Sequence, residues 1–316
     1  MTAATHVGNL VLGTHLRHLR ECQDLTPASV AARLPDPAPG VDTINLMEAG
    51  SSPALRDAAA NNRLAAFLHA YGAGLVAVAD FHQAVDGIDR HNSRFPDDGA
   101  GWTHRYQLLE QRADALLLAG VTSIPAPLRT IGMERAVWLE LHAPSVPLGL
   151  PALMAQPTGG CQPCRLYRDD LLKDSAMAGV WRAAVAAARA EAFDKRIRRE
   201  SGQETVVLLD ENLLYRPQAG PRAHADQMRH LVDLGATTRL RVRVVPANSG
   251  AILLADMAEL TTQGRTLTAE LGDSKADYAD GVHSGLRFAL ERSLDPEASA
   301  RLLERAAAGT LPRRWP

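Results

Sequence analysis

Cysteine and aromatic residues are scarce in this sequence, and long hydrophobic runs are absent. Its 316 residues include three cysteines, too few to build a disulfide scaffold. Aromatic residues make up 4% of the chain, so leucine, alanine and valine must fill a core that a chain of this length can bury without cross-links. No run reaches 18 apolar residues, and the N-terminus lacks the charged start and apolar stretch of a signal peptide. We therefore expect a cytoplasmic globular protein of about two domains, without a membrane span.

A basic excess is missing as well. The chain carries 34 lysine and arginine residues against 36 aspartate and glutamate residues, which gives a formal net charge of −2. Proteins bind DNA non-specifically through basic side chains that neutralise phosphates, so a dedicated DNA-binding protein usually has a basic face. Composition alone therefore does not indicate a nucleic-acid partner.

Short helices are predicted for the N-terminal region. Leu12, Leu16 and Leu19 recur at helical spacing and form an apolar stripe. Thr26 followed by Pro27 is typical of a helix that begins with an N-cap residue and a proline in its first turn.

A third helix is predicted to begin at Asp42 or Thr43 and to end at Gly50, because glycine often terminates helices. Its apolar residues predicted to face inward are Ile44, Leu46 and Met47. A further helix is predicted over residues 61–71.

The rest of the chain mixes helices and strands. Residues 90–103, which contain the sequence PDDGAG, have the composition of a linker. Apolar periodicity predicts helices over residues 103–118, 174–200, 221–234, 274–292 and 295–308. Alternation and β-branched residues predict strands over residues 205–209, 240–245, 251–257 and 267–271.

Three groups of motifs occur in an order that resembles a known family. The first group is LRHLRE at 16–21, LT at 25–26, INLMEAG at 44–50 and LAAFLHAYG at 64–72. The second is IPAPLRT at 124–130 with MERA at 133–136, and the third is VLLDENLLYRP at 207–217, QMRHL at 227–231 and VRVVP at 242–246. Together they resemble the actinobacterial Xre-type helix-turn-helix regulators that carry a C-terminal domain of the Scr1/DUF5753 kind.

The resemblance implies an α+β fold with a small all-α helix-turn-helix domain over residues 1–90, a linker over 91–102 and a larger α+β effector domain over 103–316. It also implies a transcription regulator whose N-terminal domain binds double-stranded DNA and whose C-terminal domain binds a small molecule or a small partner protein. A homodimer is expected, because helix-turn-helix proteins bind paired half-sites. The family has no established catalytic residue, so whether the chain is an enzyme stays open.

The segment equivalent to the DNA-reading helix departs from the family pattern. In a helix-turn-helix, this second helix enters the major groove and places its first residues on base edges. Residues 40–48 contain no basic residue and two acidic ones, and residues 1–72 carry five basic against six acidic residues, a net charge of −1. The residues that the resemblance and the helix pattern predict to contact DNA are Arg17, Arg20, Thr26, Thr43 and Asn45.

The same departure supports a different function. Loss of several phosphate contacts would lower DNA affinity by orders of magnitude. The N-terminal module could then be structural or dimerising, with the C-terminal domain recruited as a small-molecule-binding protein or an enzyme of natural-product metabolism.

Two groups of charged residues are candidates for ligand binding in the C-terminal domain. Arg241 and Arg243 alternate on one predicted strand, where they could hold an anion or form an ordinary solvated face. Asp210 and Glu211 directly follow another strand, a place where α/β proteins often meet ligands, although a helix cap would explain them equally.

Cys161 and Cys164 form the only Cys-x-x-Cys pair. Two thiolates at this spacing can supply half of a zinc site or a redox disulfide, but a structural zinc site needs two further ligands and no second pair exists. We therefore expect no metal and no cofactor. The surrounding segment, residues 137–173, is longer than the family resemblance leads us to expect, and long loops often carry function.

Overall fold

Helices fill the first part of the chain and strands become frequent later, which confirms the predicted α+β class. A computed structural model of the protein describes residues 6–35, 38–51, 63–73, 75–88, 94–99, 101–134, 193–198, 203–217, 219–272 and 275–311, with the single residues 55, 58 and 190. The described residues divide into two compact units. Unit 1 runs to Arg112 and also holds the residues from Gly272 to Asp280, whereas unit 2 holds those from Ala113 to Leu271 and from Gly281 onward.

Unit 1 is built from helices around a central one. In its described part they are α1 (Val7–Glu21), α2 (Pro27–Ala31), α3 (Val41–Glu48), α4 (Arg63–Ala70), α5 (Leu75–Asp86) and α6 (Trp102–Arg112). α1 packs against α3, α5 and α6. Its predicted stripe of Leu12, Leu16 and Leu19 is buried, so that prediction is confirmed.

The predicted start of α2 is confirmed, and α3 begins at Val41, one or two residues before the predicted positions. The Thr26 hydroxyl accepts a hydrogen bond from the Ser29 amide at 3.1 Å, and Pro27 opens α2. α3 ends in a turn where Gly50 adopts a φ of +73°, a left-handed conformation that glycine accommodates without strain.

One inward-facing residue of α3 was predicted incorrectly. Ile44 and Met47 are buried, as expected, but Leu46 is 51% exposed. Residues three apart share one face of a helix, so burial of the first two places Leu46 on the opposite side.

Unit 1 also contains a pair of strands. β1 (Arg94–Asp97) forms inside the segment predicted as a linker and pairs antiparallel with β7 (Ala276–Asp280). The ring of Phe95 stacks on that of Tyr278 at a centroid distance of 6.0 Å, and both side chains are buried. The helix predicted over residues 274–292 is therefore wrong in its first part, where alternating burial favours a strand.

A buried ion network explains why the PDDG sequence is ordered and not a linker. The Arg105 guanidinium is fully buried and donates to both carboxylate oxygens of Asp97, at 2.7 and 2.5 Å, and to Asp80 at 2.5 Å. Asp80 also accepts a hydrogen bond from the Gly101 amide. Buried charges are tolerated only when they are paired and hydrogen-bonded, so these contacts fix β1 against α5 and α6.

Unit 2 contains a mixed sheet with the strand order β6-β5-β2-β3-β4. The strands are β2 (Ala115–Gly120), β3 (Glu204–Asp210), β4 (Leu240–Val245), β5 (Met257–Thr262) and β6 (Arg265–Leu271). β2, β3 and β4 are parallel, and the register places Leu118 opposite Val207 and Val207 opposite Val242. β5 runs antiparallel to both β2 and β6.

Helices cover the sheet of unit 2. They are α7 (Gly220–Thr237), α8 (Ser284–Arg292) and α9 (Pro296–Ala307), with two short 3₁₀ helices at Ala126–Leu128 and Glu211–Tyr215. α7 and α9 pack against each other and against β4. Leu286 of α8 joins a buried cluster with Leu117, Leu208 and Leu253.

Several of the predicted elements of unit 2 are confirmed: the strands at 205–209, 240–245 and 267–271 and the helices at 221–234 and 295–308. The helix predicted over 103–118 is wrong beyond residue 112, because the apolar run at 115–120 forms a strand instead. The strand predicted over 251–257 is also wrong, since residues 251–256 are irregular and β5 begins at Met257.

Other predictions fall on residues outside the described ranges. These include Cys161, Cys164 and the whole of segment 137–173. The helix predicted over 174–200 is described only at residues 190 and 193–198, where 190 and 193–197 are helical. In the described part of the chain, every helix is too short or too polar to cross a membrane.

The crossing of α1 and α3 depends on Gly13. A Cβ atom there would lie 2.5 Å from the Met47 carbonyl oxygen and 2.7 Å from the Gly50 amide nitrogen. We expect Gly13→Ala to lower the free energy of unfolding by about 1–2 kcal/mol, because overpacking outweighs the better helix propensity of alanine. Urea denaturation would measure the change.

Gly235→Ala provides the matched control, since Gly235 lies in α7 and the Leu240 carbonyl oxygen would be an ordinary 3.9 Å from the new Cβ. It should raise stability by up to about 1 kcal/mol. Equal effects of the two substitutions would contradict the close approach of α3 to α1.

Candidate functional site

The outward face of α3 is the first candidate site, and a buried carboxylate determines how that helix is held. The Glu48 carboxylate accepts two hydrogen bonds from Arg20, Nε to Oε1 at 2.7 Å and Nη2 to Oε2 at 2.8 Å. Arg20 Nη1 also donates to the Leu25 carbonyl at 2.6 Å, and the Tyr71 hydroxyl donates to Glu48 at 3.0 Å. We call these four residues the Glu48 clasp.

The clasp joins α1, a residue two positions before α2, the end of α3 and the residue after α4. The hydrogen bonds that Arg20 donates to Glu48 raise the pKa of Arg20, against the effect of partial burial. Burial, followed by the charge of Glu48, raises the pKa of Tyr71 far above its ordinary value. Arg20 therefore stays charged and Tyr71 stays neutral across the physiological range, so the hydrogen bonds that they donate to Glu48 persist.

The opposite side of α3 faces solvent. Val41 is 39% exposed and Leu46 is 51% exposed. Asp42 and Asn45 are also exposed, and Thr43 is half-buried. No basic residue lies on α3, so this face offers two aliphatic side chains, an amide, a hydroxyl and one carboxylate.

The structure separates the residues predicted to contact DNA. Thr43 and Asn45 lie together on α3, whereas the Thr26 hydroxyl is used as the N-cap of α2. The Arg20 side chain is engaged in the clasp. Arg17 is exposed and pairs with Glu21 at 2.8 Å, and Glu21 also pairs with Arg112.

The carboxyl ends of β2, β3 and β4 form the second candidate site. Asp210 accepts a hydrogen bond from the Asn212 amide at 2.7 Å and caps the 3₁₀ helix that follows β3. Glu211 is buried and accepts from the Ala247 amide at 3.0 Å, beyond the end of β4. The two carboxylates thus serve different loops and do not act as a pair.

Sequence reasoning missed a third carboxylate at this edge. Asp256 accepts hydrogen bonds from the amides of Val121 and Thr122, at 2.7 and 3.1 Å, and from the Thr122 hydroxyl at 2.7 Å. It braces the turn that follows β2. Ligands often bind at this edge of open sheets, but here the edge carboxylates brace the protein's own loops.

Arg241 and Arg243 alternate on one face of β4, as predicted, but they have different surroundings. Arg241 is exposed, and its guanidinium lies 3.7 Å from the Glu204 carboxylate. Arg243 donates to the carbonyls of Leu294 and Ser293, at 2.9 and 3.2 Å, and so holds β4 to the connection between α8 and α9. The structure does not combine them into one anion site.

The motifs behind the family resemblance also hold one another together. Gln227 is fully buried, donates to the Leu128 carbonyl at 2.8 Å and accepts from the Thr130 amide at 2.7 Å. Arg129 donates to the Ile124 carbonyl at 2.6 Å and to the Ser123 hydroxyl at 2.7 Å. The IPAPLRT segment is thereby fixed to α7, about a hundred positions later in the chain.

Among the described residues, no group of three or more histidine, cysteine and acidic side chains is placed to hold a metal ion.

Comparison with known proteins identifies the C-terminal part of the chain. Residues 178–305 match the family described as a domain of unknown function, DUF5753. No curated protein and no solved structure matches the chain. The chain therefore carries a DUF5753 domain, which confirms the C-terminal part of the resemblance. The matched range contains Asp210, Glu211, Gln227, Arg241 and Arg243.

The clasp predicts an asymmetry between two arginines that lie three residues apart. Arg20→Ala would leave the Glu48 carboxylate buried without its cation, so we expect a loss of about 3–5 kcal/mol in the free energy of unfolding. Arg17→Ala removes an exposed pair and should cost no more than about 0.5 kcal/mol. Urea denaturation of both variants tests this, and similar losses would contradict the clasp.

Proposed function

We propose that the protein is a helix-turn-helix regulator with a DUF5753 effector domain. In this proposal it binds double-stranded DNA through α3 as a homodimer. Its effector domain binds a small molecule or a small partner protein. The observation that carries the proposal is the Glu48 clasp. It holds α3 on its inner side and leaves Asn45 exposed and Thr43 half-buried on the outer side.

The exposed side chains of α3 are suited to base contacts. An asparagine amide can pair with the major-groove edge of adenine. A threonine hydroxyl can donate a hydrogen bond to a base acceptor or accept one from a base donor. Aliphatic side chains can contact the methyl group of thymine. Asn45 and Thr43 are therefore the proposed polar readers, and Val41 and Leu46 can add apolar contacts.

Phosphate contacts should be few. α3 has no basic residue, Arg20 is engaged in the clasp, and Arg17 is paired with Glu21. Arg33, which follows α2, is exposed and is the nearest described basic residue to the α2–α3 pair along the chain. Because affinity falls with salt in proportion to the number of neutralised phosphates, a shallow salt dependence is expected.

A binding experiment with genomic DNA fragments tests this proposal. With about two phosphate contacts, affinity should fall only about tenfold between roughly 50 and 200 mM salt. Asn45→Ala should weaken sequence-specific retention by about 1–3 kcal/mol, the value of one good base contact. Gln83→Ala, which alters an exposed amide on α5, is the matched control and should leave retention unchanged.

Absence of retention at low salt, with the circular dichroism spectrum of the protein intact, would refute DNA binding. A steep salt slope would show instead that basic residues away from α3 dominate the contact.

A second candidate function for α3 is self-association. Its support is the exposure of two large aliphatic residues, Val41 and Leu46, on a helix that has no cation. In that case the helix-turn-helix unit would be a dimerising module. The candidate C-terminal residues Asp210, Glu211 and Arg243 each have an internal partner, so they lend no support to an enzyme there.

Sedimentation equilibrium distinguishes the two uses of α3. If the helix forms the dimer contact, Leu46→Asp should weaken self-association about tenfold or more, because a charge would be buried at the interface. Ile131→Asp is the matched control, since Ile131 is a similarly exposed aliphatic residue of unit 2, at 54%. An unchanged dimer in the Leu46 variant would remove this candidate.

A further inference from the structure

β7 belongs to one part of the molecule by sequence and to another by its contacts. Its residues, Ala276–Asp280, fall inside the DUF5753 match at 178–305. Its contacts place it in unit 1, with the helices of the helix-turn-helix. The chain leaves unit 2 after Leu271, forms β7, and returns to unit 2 at Gly281.

Within unit 1, β7 is part of the core. All four residues of β1 pair with it, from Arg94 opposite Ala279 to Asp97 opposite Ala276. Tyr278 is fully buried, and its ring stacks on Phe95. α1 and α6 also pack against β7. Withdrawal of β7 would therefore expose an aromatic pair and one side of the central helix.

A continuous series of close contacts leads from β7 to α3. The Phe95 ring lies so near Gly8 of α1 that a Cβ atom there would be 2.9 Å from it. Further along α1, Gly13 meets the backbone of α3, and Arg20 holds Glu48. The helix that presents α3 thus rests directly on the β1–β7 pair.

The point where β7 returns to unit 2 is fixed by backbone geometry. Gly281 has a φ of +89°, a conformation that residues with a side chain rarely adopt. Its amide donates to the Thr266 carbonyl at 2.8 Å, and its carbonyl accepts from the Thr268 hydroxyl at 2.9 Å. β6, which belongs to unit 2 together with Gly281, therefore fixes Gly281, the first residue after β7.

We propose that β7 is the element through which the DUF5753 domain controls the helix-turn-helix unit. A change in the domain that shifts β6 or Gly281 alters the pairing of β7 with β1, and this loosens α1 and the α3 helix clasped to it. The coupling concerns the order of unit 1, so it holds whether α3 binds DNA or another copy of the chain.

Amide hydrogen exchange of the full-length protein tests the coupling. Gly281→Ala introduces backbone strain without a steric clash, because nothing lies within 4 Å of the new Cβ. We expect exchange in β1 and α1 to accelerate about fivefold to thirtyfold, the effect of one unfavourable left-handed residue. The matched control is Gly264→Ala, since Gly264 has a φ of +74°, equally open surroundings and a place in the β5–β6 turn of unit 2. It should accelerate exchange in β5 and β6 only.

Two outcomes would overturn the proposal: exchange in β1 and α1 unchanged by Gly281→Ala, or accelerated equally by Gly264→Ala. If the Gly281 variant does not fold, Thr268→Val removes only the hydroxyl bond to Gly281 and should give the same pattern with a smaller acceleration. Exchange is measured without DNA, so the result is independent of the proposed DNA binding.

Discussion

The buried carboxylate of Glu48 is the constraint on which the candidate site depends. A carboxylate this deeply buried must have its charge matched, and Arg20, supported by the Tyr71 hydroxyl, supplies the match. The geometry of the bidentate pair leaves little freedom in the angle between α1 and α3. The same pairing removes an arginine from the surface that would face a phosphate backbone. The Arg20–Glu48 pair thus holds α3 in place and also withholds one cation from the surface, in addition to the lack of basic residues on α3 itself.

Local signals in the sequence predicted much of unit 1, and tertiary context explains where they failed. The N-cap at Thr26 and the glycine at position 50 act within a few residues, so they are visible in the sequence. Leu46 looked like a core residue because it is apolar, but only packing decides which side of a short helix is buried. The run at 115–120 continued an apparent helix because a short apolar stretch fits a buried strand equally well. Pairing with distant strands decided between them.

The candidate ligand sites show a different limit. Because Asp210 and Glu211 directly follow a predicted strand, the sequence correctly placed them at the carboxyl edge of the sheet. The cap that Asp210 forms with the Asn212 amide is local. The amide that donates to Glu211 belongs to Ala247, more than thirty positions away, so no local pattern could reveal it. Asp256 gave no signal at all, because a single aspartate before a strand is common. Gln227 and the IPAPLRT segment were found only through their ordered resemblance to a family, and the structure supplies the physical reason for that order.

The domain boundary given by the family match differs from the boundary between the two compact units, and β7 shows why. A family match follows the continuous chain, so β7 is counted with the DUF5753 domain that surrounds it in sequence. Contacts, in contrast, depend on the burial of Tyr278 and Phe95. These side chains are removed from water only by packing against each other and against α1. A unit that takes a core strand from a later part of the chain cannot be as independent as a tethered module. Within the segment 91–102, which was expected to be a linker, residues 94–97 form β1 and pair with that strand. Unit 1 therefore cannot complete its core without residues that the DUF5753 match assigns to a later part of the chain.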